Sequence, residues 1–142
     1  MAEFPASRNA AAPYTGQSEP MPLRCLLVDD NDAFLETASL LLEREGLTVV
    51  GKASNIAEAL RQDRALRPDL ILVDIGLGSE SGFDLARLLA QDGQGRNADV
   101  ILISAGPEAD YAELIAESPA AGFLAKSELS VRRISRILGD VS

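Results

Sequence analysis

Short apolar runs alternate with helical patterns along most of the chain. Leu23–Val28 reads as a buried strand that ends abruptly in Asp29-Asp30-Asn31-Asp32. Phe34, Leu35, Ala38, Leu41 and Leu42 then recur at the spacing of one helix face, and Gly46 suits the C-terminal cap. Leu47–Val50 gives a second strand. Asn55, with Glu58 three residues later, makes a capping-box-like start to a helix whose apolar side is Ile56, Ala59, Leu60 and Leu66. Pro68 stops that helix. Leu70–Val73 is wholly apolar, which predicts a strand covered on both faces. Ser81 and Asp84 open a helix through Phe83, Leu85, Leu88 and Leu89 that Gly93 closes. Val100–Ile103 is a fourth strand, and Glu108–Glu117 a short helix stopped before Pro119. Gly122–Ala125 is a fifth strand, and Leu129–Val141 a last helix with Ile134, Ile137 and Leu138 inward.

Five strand–helix units with short connections define an α/β protein, a doubly wound five-stranded parallel sheet with helices on both faces. Ligands of such open sheets bind beyond the carboxyl ends of the strands, so the residues just after each strand carry the functional reading. The 142 residues suit one hydrophobic core. Residues 1–22 differ from the rest: Pro5, Pro13, Pro20 and Pro22 fall there and no apolar periodicity does. This segment is expected to be a disordered tail, and residues 23–142 a single domain. It lacks the basic start and apolar stretch of a secretory signal.

A net charge of −9 argues against broad electrostatic binding to nucleic acid or anionic membrane. The apolar runs are far too short to span a bilayer. The lone Cys25 forms no internal disulfide and reads as a small packed hydrophobe, which fits a cytoplasmic protein. Absence of histidine excludes histidine-based metal sites, Ser-His catalysis and any phosphohistidine on this chain. Lysine occurs only at Lys52 and Lys126, so each is informative.

Four of the five strands deliver a polar group to one rim: Asp29 and Asp30 after the first, Asp74 after the third, Ser104 after the fourth and Lys126 after the fifth. Three converging carboxylates resist ionising together unless a cation compensates them. Hard oxygen donors suit Mg²⁺ better than zinc. A lysine and a hydroxyl beside such a cluster make chemical sense for a phosphoryl ligand. The cation and ammonium neutralise its oxygens, the hydroxyl donates to one, and a carboxylate serves as nucleophile.

The set Leu26-Leu27-Val28-Asp29-Asp30, Leu72-Val73-Asp74-Ile75, Ile103-Ser104-Ala105 and Gly122-Phe123-Leu124-Ala125-Lys126 resembles, in order and spacing, the response-regulator receiver domain of bacterial two-component signalling. The likeness covers about residues 23–141. It implies the flavodoxin-like (βα)5 fold with strand order 2-1-3-4-5. It further implies that Asp74 is the phosphoacceptor, and that Asp29, Asp30 and the Gly76 carbonyl join Asp74 in holding Mg²⁺. Ser104 and Lys126 would contact the phosphoryl group, Phe123 would be the switch aromatic, and Ala105 the small residue beside the phosphate. The implied donor is a histidine kinase or histidine phosphotransfer protein, and the only chemistry implied is the chain's own phosphotransfer and dephosphorylation. With no attached effector expected, output passes through a downstream protein partner or a homodimer. The face for it is that of the fourth helix, fifth strand and fifth helix; Arg132, Arg133 and Arg136 read as the solvated side of the last helix, the alternative being that they pair with Glu108, Asp110 or Glu113 of a second copy.

Several positions depart from the family pattern. Gly78 replaces a common proline and is expected to loosen the loop Gly76-Leu77-Gly78-Ser79, and Ser127 replaces the frequent proline after the lysine. Phe123 has no hydroxyl, so a switch signal there travels by ring packing. Gly76 and Gly106 are bare where side chains often tune hydrolysis. Two rivals stand beside this reading. Asp30-Asn31-Asp32 imitates the D-x-D motif of haloacid-dehalogenase-like phosphatases, but position 104 offers serine where that chemistry needs acids, and Asp74 goes unexplained. A phosphorylation-independent binding module of the same fold sits poorly with the intact Asp29, Asp30, Asp74, Ser104 and Lys126 set. Gly76-x-Gly78 is no dinucleotide fingerprint, since residue 81 is serine.

Overall fold

The computed structural model describes residues 23–91 and 98–139. The expected tail, Gly93 and Val141 lie outside these residues. Five parallel strands form the sheet: β1 (Arg24–Val28), β2 (Thr48–Ala53), β3 (Leu70–Asp74), β4 (Asp99–Ser104) and β5 (Gly122–Ala125). Their order is β2-β1-β3-β4-β5, as expected, with β3 at the centre and buried at every position. Strand pairing is in register except for a shift between Cys25 and Leu26 against β2.

Side chains alternate across the sheet because successive residues of a strand point to opposite faces. Cys25, Leu27, Leu70, Leu72, Ile101 and Ile103 pack with Leu35, Ala38 and Leu42 of α1 (Asp32–Arg44) and Ile134 of α5 (Val131–Leu138). On the other face Leu26, Val28, Ile71, Val73 and Leu102 meet Ala59 of α2 (Ile56–Leu66) and Phe83, Leu85, Ala86 and Leu89 of α3 (Gly82–Ala90). Cys25 is fully buried, and burial pushes its thiol up, so it is an inert packing residue.

The caps follow the sequence closely. Asn31 Oδ1 accepts the Phe34 N–H at 3.1 Å to start α1. At its end, Gly46 takes φ +102°, the Leu47 N–H reaches the Leu42 carbonyl and the Gly46 N–H the Glu43 carbonyl, which together make a Schellman motif. Asn55 caps α2 through the Glu58 N–H, and the Glu58 carboxylate returns to the Ser54 N–H, both at 2.8 Å.

Four differences from the expected elements have physical causes. β2 runs past Val50 through Gly51, Lys52 and Ala53, because an edge strand needs no continuous apolar stretch. The loop expected to be loose at Gly78 is a small antiparallel ribbon, Gly76–Leu77 against Glu80–Ser81, with Leu77 buried and Gly78 at φ +68° in its turn, a value proline cannot adopt. The expected helix Glu108–Glu117 divides into a 3₁₀ turn (Glu108–Tyr111) and the short α4 (Ala112–Glu117), with no side-chain cap on either piece. The last helix starts after Leu129, where Ser130 caps it, and closes at Leu138 before Gly139 at φ +81°.

Candidate functional site

The carboxyl ends of the sheet bring the expected residues together. Asp29 leaves β1 fully buried, Asp74 ends β3 and is buried, Ser104 ends β4 and is buried, and Lys126 follows β5. Asp30 lies on the exposed rim. Carboxylate oxygens of Asp29, Asp30 and Asp74 all fall within 4.8 Å of one another. The Lys126 ammonium sits 2.6 Å from Asp29 Oδ2 and 3.5 Å from Asp74 Oδ2, spanning the two buried acids.

Backbone donors hold the remaining oxygens. The Asn31 N–H donates to Asp29 Oδ1 at 2.9 Å, and the Gly76 N–H to Asp74 Oδ1 at 3.4 Å. The Ser104 Oγ accepts the Gly106 N–H at 2.9 Å, which leaves its own proton free to donate. Asp30 Oδ2 packs beside Gly78, 3.5 Å from where a Cβ would stand there, so the ribbon's turn borders the carboxylate cluster.

Asp74 is raised to about 6. Burial is the main cause and the charge of Asp29 adds to it, while Lys126 and the Gly76 N–H pull the other way. For Lys126, burial opposes the charge, but the contact with Asp29 and the fields of Asp74 and Asp29 outweigh it and hold the ammonium above its ordinary value. These are the signs of a pocket with excess negative charge.

The balance of charge tests whether a cation belongs there. Asp29 Oδ2 is buried, and the group that meets it is the Lys126 ammonium at 2.6 Å, which Asp74 Oδ2 shares at 3.5 Å. One ammonium against three carboxylates whose oxygens lie within 4.8 Å of one another leaves negative charge and hard oxygen donors that fit a divalent cation.

Two further residues shape the pocket and carry weaker sequence signals. Gly82 starts α3 directly against β3: a Cβ there would stand 2.2 Å from the Asp74 carbonyl oxygen. A glycine immediately after the cap Ser81 was the available clue. Phe34, legible only as part of an apolar helix face, places its ring 4.2 Å from the Lys126 ammonium. Phe123 is half-buried and packs with the α2–α3 side of the core, and Tyr111 packs tilted on Phe83 with ring centroids 6.5 Å apart.

A doubly wound sheet that gathers three carboxylates, a hydroxyl and a lysine at its strand ends defines the class, and comparison with known proteins agrees. The model of the response regulator receiver domain matches residues 25–137. The polar-differentiation response regulator DivK of Brucella anthropi is 32% identical over 124 residues, 84% of this chain and 99% of DivK. BvgA of Bordetella pertussis is 30% identical over 106 residues, 74% of this chain and 49% of BvgA. A crystal structure of a LuxR-family two-component response regulator from an Aurantimonas species matches with TM-score 0.71 and 28% identity, covering 84% of this chain and 87% of that one. The chain belongs to the response regulator receiver domain family. It spans about half the length of the first curated relatives it matches, BvgA among them. Among the described residues no helix is long and apolar enough to cross a membrane.

Proposed function

We propose that this protein is a phosphoacceptor in a two-component phosphorelay, taking a phosphoryl group on Asp74 and signalling through protein contacts. The observation that carries this reading is the Lys126 ammonium bridging Asp29 and Asp74 beside the converged oxygens of Asp29, Asp30 and Asp74. Asp29, Asp30, Asp74 and the Gly76 carbonyl would hold Mg²⁺, which when bound supplies positive charge for the transferring phosphoryl oxygens.

In the transfer an Asp74 carboxylate oxygen attacks phosphorus and forms an acyl phosphate. The donor's phosphorus–nitrogen bond breaks, and its electron pair stays on the histidine ring of a kinase or phosphotransfer protein. Lys126 swings from carboxylate to phosphoryl oxygen, and Ser104 donates its free hydroxyl proton to another. The added charge biases a pre-existing equilibrium at the α4–β5–α5 face, where exposed Glu108, Asp110 and Glu113 and exposed Arg132 and Arg136 offer complementary charge to a second copy or a downstream partner. Arg133 is the exception there, being paired with Glu128 of its own chain at 3.4 Å. The cytoplasm, where such donors act, is the proposed compartment.

Incubation with acetyl phosphate and Mg²⁺, followed by borohydride trapping and peptide mapping, tests the reading. Label at Asp74, lost in Asp74→Asn, is expected. Phosphate release that survives Asp74→Asn and stops in Asp30→Asn would indicate a phosphatase instead. Absence of both adduct and turnover would indicate a binding module. Light scattering with and without beryllofluoride checks the second copy; a monomer in both conditions rejects it.

A further inference from the structure

We propose that Phe34 is a positioning residue for Lys126: its ring face holds the ammonium over the aspartate pocket and lets it travel from Asp29 to the phosphoryl group on Asp74. This rests on the phosphoacceptor reading above.

A lysine ammonium on a four-carbon stem has many rotamers, and fixing one costs side-chain entropy. Lys126 is nonetheless confined from three directions, by Asp29 Oδ2 at 2.6 Å, by Asp74 Oδ2 at 3.5 Å and by the Phe34 ring at 4.2 Å. The acids hold it through point charges, and both change when the pocket is loaded. A cation on Asp29 and a phosphoryl group on Asp74 would each alter what the ammonium meets there. The ring does not change. Its attraction comes from a quadrupole spread over the whole face, so the ammonium can shift laterally with little loss.

The ring is itself placed by the pocket. Asp29 Oδ1 accepts the Asn31 N–H at 2.9 Å, and Asn31 Oδ1 accepts the Phe34 N–H at 3.1 Å. Phe34 faces Lys126, and Lys126 returns to the other oxygen of Asp29. The four residues close a circuit in which the first turn of α1 and the lysine loop report on the same carboxylate. The plainer role for Phe34 is apolar packing, since it also lies against the α1–α5 side of the core. A leucine would satisfy packing but supplies no quadrupole, and that difference makes the two roles separable.

Lysine occurs only at positions 52 and 126, so ¹³C-lysine labelling gives two ε-methylene signals, with the exposed Lys52 as internal control. In the wild-type protein the Lys126 signal is expected to show an upfield ring-current shift that Lys52 lacks, and Phe34→Leu should remove it. Calorimetric titration with beryllofluoride and Mg²⁺ should show affinity falling about threefold to tenfold in Phe34→Leu and restored in Phe34→Trp. In a Lys126→Met background the Phe34→Leu loss should vanish. No ring-current shift in the wild type overturns the inference by itself, without reference to any variant's folding. Equal affinity of wild type and Phe34→Leu, or an undiminished loss in Lys126→Met, also overturns it. A wild-type protein that shows the shift yet binds no beryllofluoride refutes the phosphoacceptor reading, and with it the purpose assigned to the contact.

Discussion

Helices α1 and α4 flank the same functional rim and are held in opposite ways. The thirteen residues of α1 bury Leu35, Ala38, Ser39 and Leu42, start on the Asn31 cap and end in a Schellman motif. The six residues of α4 bury none, lack a side-chain cap and follow a 3₁₀ turn rather than a clean helix start. Asp29 and Asp30 lead directly into α1 and Phe34 lies in its first turn, so two of the three clustered carboxylates adjoin the firmly held helix. Of the face proposed for output, β5 and α5 are anchored by buried Leu124 and Ile134, and α4 alone buries no residue. The contrast in burial lies between α1, beside the carboxylate cluster, and α4.

Four substitutions probe that contrast, from strongest to weakest. Leu42→Ala removes a fully buried side chain from α1 and should cost about 3 kcal/mol in urea denaturation. Titration of Asp74 comes next. Its pKa rises from 3.8 to about 6 on folding, so between those values the folded state keeps a proton that the unfolded state has lost. Asp74 therefore contributes most below pH 4, and that contribution is lost as pH rises towards 6. Relative to Asp74→Asn, metal-free wild type should lose about 1–2 kcal/mol across this window, discounted for solvent around the pocket, and stay level above it. Mg²⁺ at pH 7 should recover part of the loss, which paired denaturation curves will show.

The third change, Asn31→Ala, deletes the α1 cap and should cost about 1 kcal/mol by the same measurement. Leu114→Ala trims a side chain of α4 that is 50% exposed and should shift stability by less than about 0.5 kcal/mol. A large Leu114 effect, or a small Leu42 effect, would erase the contrast.

The sequence was most readable where burial was most complete. The apolar runs of β1, β3 and β4 and the residues at their ends are found where the alternation put them, because a strand covered on both faces leaves little freedom of composition. The far half of β2 was hidden by Gly51 and Lys52, whose presence depends on edge position and on the close approach of Gln62, whose side-chain amide donates to the Lys52 carbonyl. The ribbon at residues 76–81 was hidden too. Its pairing is two residues long, and its Glu80 accepts the Ile56 N–H at 2.9 Å, a tertiary contact with no local signature. Residue types marked out Asp29, Asp30, Asp74, Ser104 and Lys126, whereas Phe34 and Gly82 contribute only placement. Placement leaves a faint trace in a single sequence.

Gly82 gives this a genetic dimension. Every point mutation at its codon that changes the residue adds at least a Cβ, and that atom would stand 2.2 Å from the carbonyl oxygen of Asp74. A lesion there would leave every acid, the hydroxyl and the lysine intact on paper while displacing Asp74, the proposed nucleophile. In a screen it would look like a silent receiver with a full set of reactive groups, and the defect would be invisible to any inventory of functional side chains.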